Sequence, residues 1–303
     1  MTVFLTSIQS IIPIIVIIAL GYILQLKGWF SESFGPNLSR LIMNVALPVS
    51  IFVSVLKYLT VDKLISLSGG LLYTFGAFAL TYIFGFLAVK LCGVRAGRRG
   101  TMINTFVNAN TIFIGLPLNI ALFGEEALPY FLIYYITNTI STWTLGVYIM
   151  TTDSVGGEKK EGTKFDWKKL LPAPLVGFLI ALVFLVLRIP VPTFAGNTLT
   201  YIGIILAKAG LKSIHFDKDT VVTIVGRFIL APVIMYVLLY FTGKGLPTKE
   251  FNTFVIQSAA PALAVLPILA SQGDGDVEFS TNVVTISTVL FVVVVPIVMT
   301  LLG

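Results

Sequence analysis

The chain has 303 residues, 56% of them hydrophobic and 11% charged, with a mean hydropathy of +0.97 and a formal net charge of +6. Soluble domains carry about 25% charged residues, so this composition excludes a soluble fold and calls for a polytopic membrane protein. Cys92 is the only cysteine and His215 the only histidine, which excludes intrachain disulfides and leaves almost no material for a zinc site or a histidine-based triad.

Ten apolar segments are predicted at 3–26, 35–56, 64–89, 100–123, 127–151, 170–188, 196–211, 219–242, 250–271 and 279–302, numbered here as spans one to ten. Each is near the roughly 20 residues needed to cross a bilayer. Span one lacks a basic leading region and a small-residue cleavage site, so it reads as a retained span. Span two, with LSRLIMNVALP at 38–48, carries Asn44 and Pro48.

Span four holds FVNANTIFIGLPL at 106–118, where two asparagines, a threonine, a glycine and a proline interrupt an apolar run. In hydrocarbon each unpaired backbone group costs several kcal/mol. A helix broken over 108–117 is therefore expected, with its freed groups against protein or a wet cavity. Span five adds Asn138, Thr139, Ser141 and Thr142, and DSVGGEKKEGTKFDWKK at 153–169 is the midpoint linker. Span seven is short and contains Lys208, so it reads as a tilted helix or as a place where residues are missing. Span eight contains Arg227, the only formal charge well inside a span. Such a charge is a functional candidate by default; the alternatives are binding to carbonyls of a broken helix, or snorkelling to the cytoplasmic face. Span nine, with QSAAPALAVLPILA at 257–270, predicts a second break over 258–267, with Pro261 and Pro267.

Lysine and arginine counts set the orientation. Fourteen fall in one set of loops (Lys27, Arg40, Lys90, Arg95, Arg98, Arg99, five lysines of 159–169, Lys208, Lys212 and Lys218). Five fall in the other (Lys57, Lys63, Arg188, Lys244 and Lys249). Both termini are then outside and the linker is cytoplasmic. Basic residues confined to short loops in this way are an orientation signal and do not point to nucleic acid.

The halves echo each other. LKYLTVDK at 56–63 aligns with LKSIHFDK at 211–218, TIST recurs at 139–142 and 285–288, and NANTIFIGLP at 108–117 aligns with SAAPALAVLP at 258–267. The expected fold class is all-α, with residues 1–152 and 170–303 as two five-span repeats and 153–169 between them. Five is odd, so the second repeat is inverted, the arrangement of secondary transporters whose site lies at unwound helices near the membrane centre.

NTIFIGLPL at 110–118, LSRLIMNVALP at 38–48 and QSAAPALAVLPILA at 257–270 resemble corresponding helices of the auxin efflux carrier family, whose bacterial members include malate and malonate permeases. The resemblance covers the whole chain. It implies the fold of sodium/bile acid symporters, with a scaffold (1–58 plus 170–213) and a mobile crossover domain (59–152 plus 214–303), in which spans four and nine cross beside an anionic substrate. By motif position Asn110 and Thr111 would contact substrate, Pro117 would shape the span-four break and Pro261 would mark the opposite one. The chain departs from plant members in SLSGGLLYT, where they carry an acidic residue, and at Ala262, where they carry glutamine.

From the residues themselves, Asn108 and Asn110 either hold a carboxylate with the positive end of a half-helix or cap the broken ends. Asn138, Thr139, Ser141, Thr142, Thr285, Ser287, Thr288, Asn44 and Gln257 either line the site or bond locally. Asp62 and Asp217 read as caps or interface ions, and His215 as a loop residue able to sense pH. No carboxylate sits at mid-span, so proton coupling would use the substrate's own proton or a loop-edge acid reached through water, and a sodium site also stays open.

The expected function is secondary active transport of small organic anions, a mono- or dicarboxylate such as malate, by elevator-like alternating access. The alternatives are an organic-anion channel and a carrier-fold ligand sensor. No enzymatic activity or cofactor is expected. The expected partners are the lipid bilayer of the inner (plasma) membrane and, by resemblance, a second copy joined through the scaffold.

Overall fold

The computed structural model describes residues 23, 27, 28, 41–66, 68–156, 173–191 and 216–303. Span seven, most of span one, the linker from 157 onward and His215 lie outside the described residues.

The described chain is helical, with no β-strand among the described residues. A π-helical turn, Ile42–Ala46, leads into α1 (Leu47–Tyr58), followed by α2 (Val61–Ser66) and α3 (Ser68–Cys92). Span four divides into α4 (Arg99–Val107), a π turn (Thr111–Gly115) and α5 (Leu116–Phe123). After a 3-10 turn (Glu125–Ala127), span five runs through α6 (Leu128–Ser141), a π turn (Thr142–Gly146) and α7 (Val147–Thr152). Then come α8 (Ala173–Val186), α9 (Lys218–Val225), a π turn (Gly226–Leu230) and α10 (Ala231–Thr242). Span nine divides into α11 (Thr248–Ser258) and α12 (Leu266–Gln272), and α13 (Val277–Leu302) closes the chain.

Among the described residues, three helical stretches are long and apolar enough to cross a membrane: Ser68–Cys92, Lys218–Thr242 and Val277–Leu302. Their outer faces keep large apolar side chains in contact with the surroundings, with Leu72 76% exposed and Leu91 75% on α3, and Phe241 69% on α10. A water-facing helix would place polar groups there, so this surface suits lipid.

Among the described residues, three of the four π turns have one cause. Pro48, Pro117 and Pro232 each stand two residues beyond the end of a π turn. Proline has no N–H for the carbonyl four residues back, and its ring crowds that carbonyl. Widening the preceding turn relieves the clash. The fourth, Thr142–Gly146, has no following proline but presses on its neighbours, since a Cβ on Gly146 would stand 2.9 Å from Asn104 Nδ2.

The interruptions are shorter than predicted. Span four leaves helical geometry only over 108–110, and span nine over 259–265. Pro267 is the second residue of a restarted helix, α12, where the missing N–H would have had no partner anyway. Pro117 stands beyond the interruption, just after the π turn, and widens that turn without forming the break.

Apolar packing joins α1, α6, α8, α12 and α13 in one core around Phe131, Phe178 and Phe279. The α1–α8 contact is close because Gly177 lies on Pro48, where a Cβ would overlap its backbone. Phe52 and Phe184 meet edge-to-face at 5.3 Å.

Loop contacts fall into the same two sets as the basic-residue count. On one side Arg98 pairs with Asp217, Asp219 (3.5 Å) and Asp276 (2.6 Å). On the other Lys249 pairs with Glu126. Asp217 also caps α9 through the Thr220 N–H. Burial alone would raise the Asp217 carboxyl, but the Thr220 donors and the Arg98 guanidinium outweigh it and hold the group at about 2.

Candidate functional site

The two interrupted segments are bonded to each other. The Asn110 N–H donates to Pro261 O at 2.9 Å, and Ala109 and Ala262 form an isolated antiparallel bridge. Pro261 can only accept, so the bond runs one way. Away from water every such backbone group needs a partner, and span five supplies two of them with one side chain. Asn138 Oδ1 accepts from Ala109 N–H at 2.8 Å, and its Nδ2 donates to Ala109 O at 3.0 Å. On the other segment the Ala262 N–H donates to Ser287 Oγ at 3.2 Å.

The ends of the half-helices sort by polarity. α4 and α11 arrive at the breaks with their C-termini, and Arg227, 0% exposed, lies where these ends converge. Its Nε donates to Ala260 O at 2.6 Å, Nη1 to Thr105 O and Phe106 O at 3.3 Å, and Nη2 to Gln257 O at 3.3 Å. Each helix C-terminus carries roughly half a negative charge, so two of them together offset one guanidinium. Gly226 permits this approach, because a Cβ there would overlap the Phe106 ring.

The opposite ends border a small pocket of about 40 Å³. Asn110, Thr111 and Ile112 contribute from the start of the π turn leading into α5, and Leu263, Ala264 and Val265 from the approach to α12. Span five contributes Tyr135, Asn138, Thr139, Thr142 and Trp143, and Ile51 closes it from α1. None of these lining residues is charged. Among the described residues the Thr142 hydroxyl has no hydrogen-bond partner. A water needs at least about 10–15 Å³ of such volume, so this conformation admits a few waters, and a dicarboxylate requires the pocket to widen.

Of the residues proposed from sequence, Asn110, Thr111, Asn138, Thr139 and Thr142 meet at this pocket. Asn108 lies behind it, donating to Asn104 Oδ1 at 2.9 Å and Tyr82 OH at 3.3 Å. Pro261 and Ala262 belong to the backbone bridge. Arg227 takes the carbonyl-binding alternative, at the C-terminal ends and away from the pocket lining. Thr288 donates to Val284 O on its own helix at 2.8 Å, and Asn44 sits exposed in the turn before α1. Pro117 is outside the lining. Tyr135 and Trp143 were missed. They share the face of Asn138, Thr139 and Thr142 at the i, i+3, i+4, i+7, i+8 spacing of one helix side, a signal that was available.

Comparison with known proteins gives one consistent picture. A family model described as "Membrane transport protein" matches residues 6–299. An uncharacterized transporter of Methanothermobacter thermautotrophicus is 25% identical, over 97% of this chain and 98% of that one. An uncharacterized transporter of Methanocaldococcus jannaschii is 22% identical over 94% and 95%. The uncharacterized transporter YfdV of Escherichia coli is 25% identical over 95% of each chain.

Proposed function

Because the chain belongs to the membrane transport protein family, we propose that it is a secondary active transporter of small organic anions, with the substrate held in the pocket at the two interruptions. The observation that carries this reading is the sorting of helix ends. Two half-helix N-termini border an uncharged, largely apolar pocket to which Asn110, Thr111, Asn138, Thr139 and Thr142 bring amides and hydroxyls, while the two C-termini are already neutralised by Arg227. An N-terminus favours an anion through free N–H groups and partial positive charge. Amide and hydroxyl donors then give orientation without a fixed countercharge that would make release slow.

The substrate class, a mono- or dicarboxylate such as malate, and elevator-like movement rest on the resemblance to auxin efflux carriers. In this reading 59–152 plus 214–303 move against 1–58 plus 170–213. Ile51 is a wall from the static part and the other lining residues belong to the moving part. Sliding between them would widen the pocket. Residence in the plasma membrane with both termini outside, and dimerisation through the scaffold, belong to the same proposal.

The test is uptake of labelled malate into proteoliposomes of purified protein. A carrier gives saturable uptake accelerated by unlabelled malate on the far side. Flux linear in concentration and indifferent to far-side malate would identify a channel. A melting temperature raised by malate without any flux would identify a sensor.

A further inference from the structure

Glu250 stands in the first turn of α11 and is 4% exposed. A Cβ on Gly70 would meet its Oε1 at 2.8 Å, with Ile133 and Phe254 carbons beside it at 3.1 Å. Its carboxyl group is thus enclosed by apolar side chains and the bare backbone of α3. Among the described residues, the elements packed around α11 bring it no cation. At this end α3 carries Tyr73, α6 carries Tyr130, and α10 carries Tyr236 and Tyr240. α5 has no titratable residue, and the only one on α13, Glu278, is at its far end. Lys249 is already paired with Glu126, and Lys244 in the preceding loop is exposed.

A second observation leads inward from this carboxylate. Gln257 Nε2 donates to Gly115 O at 3.1 Å, and Lys249 reaches Glu126, so α5 and α11 run antiparallel. One turn outward from the Gln257–Gly115 contact this register sets Thr253 against Asn119. Both are 0% exposed, and among the described residues Thr253 Oγ1, Asn119 Oδ1 and Nδ2, and Gln257 Oε1 all lack hydrogen-bond partners. Buried polar groups of this kind are normally satisfied by internal water. Glu250, Thr253 and Gln257 lie at i, i+3 and i+7, on one side of α11. The stripe covers about 10 Å of helix and ends at Gly115, the last residue of the π turn whose first residues line the pocket.

We infer that Glu250 is a proton-binding site, and that Thr253, Asn119 and Gln257 mark a water path joining it to the pocket, so that anion movement is coupled to a proton. The carboxylate takes up one proton from the aqueous side and becomes a neutral carboxyl; on the other side it returns that proton to water. A neutral group crosses or reorganises in low dielectric at far smaller cost than an ionised one. The coupling half of this inference rests on the transport reading above; proton binding by Glu250 does not.

Two measurements separate them. Infrared difference spectra of the substrate-free protein between acid and alkaline pH should show a carboxyl band in wild type that is missing from Glu250→Gln and retained, shifted, in Glu250→Asp. In proteoliposomes the ratio of malate uptake with and without an inward proton gradient, which does not depend on the amount of folded protein, should collapse to about 1 in Glu250→Gln and stay at the wild-type value in Glu126→Gln. A Glu250→Gln spectrum identical to wild type overturns the inference, and so does an unchanged gradient ratio. Wild type that carries no malate removes the transport reading, and the infrared result then decides Glu250 by itself.

Discussion

The two faces of the interrupted segments make an instructive pair. Both arise from the same breaks, and both present unpaired helix ends to the protein interior. At the C-terminal face four carbonyls converge on Arg227, and a protein charge fills the site permanently. At the N-terminal face the walls are uncharged, and the Thr142 hydroxyl has no partner among the described residues. One end of each broken helix is finished as structure, and the other is left available to an exchangeable ligand. Substitutions on each face are expected to have different consequences.

The largest effect is expected at Arg227. Arg227→Met leaves four buried carbonyls and two helix C-termini without their cation, and removing one partner of a buried charged pair costs about 3–5 kcal/mol. A drop of many degrees in melting temperature is expected, with Arg227→Lys intermediate because one ammonium cannot reproduce the planar fork. Equal melting of Arg227→Met and wild type would mean that the C-terminal face is not held by this charge.

Next comes Asn138, which serves both faces of the argument because it lines the pocket and also satisfies Ala109. Asn138→Ala orphans an N–H and a C=O together, at about 1–3 kcal/mol each. Thermal unfolding should show most of that loss, and an unchanged midpoint would show that water replaces the amide.

A smaller effect belongs to the loop cluster, a control lying away from both faces. The Asp217 carboxyl is depressed to about 2, so its stabilising contribution is fully present above its ordinary value near 3.8 and disappears as pH falls through about 2. Discounted for partial exposure to solvent, it amounts to about 1 kcal/mol. Asp217→Asn should lower stability at neutral pH and converge with wild type in strong acid; parallel curves would contradict the Arg98 pairing.

The smallest stability effect is expected at Thr142. Thr142→Val removes a hydroxyl without a protein partner, so melting should move by less than about 0.5 kcal/mol. The malate KM should rise by about tenfold, the value of one hydrogen bond to a charged group. Loss of stability with unchanged KM would reverse the assignment of the two faces.

Much of this contrast was legible in the sequence. Asn108, Asn110 and Pro261 in apolar runs announce interruptions, because hydrocarbon penalises such groups unless the backbone needs them. The spans around Ser68–Cys92 and Val277–Leu302 follow from apolar length alone. Pro267 misled, since a proline that breaks a helix and one that begins the next helix look the same until the neighbouring dihedrals are known, and Pro117 widens a turn beyond the break. The position of Arg227 depends on two helix ends brought together from residues over 100 apart in the chain, and no local pattern encodes that. Glu250 was overlooked because it lies at a span's edge, where acids are common; only the packing of Gly70 and Phe254 distinguishes it from a solvated residue.

The central claim, that an organic anion binds at the N-terminal face, is tested most directly by malate uptake into proteoliposomes bearing wild type or Asn110→Ala, with melting curves for both. Saturable uptake in wild type, lost in an Asn110→Ala protein that still melts cooperatively, is the predicted result. Undiminished uptake by a folded Asn110→Ala protein would contradict it.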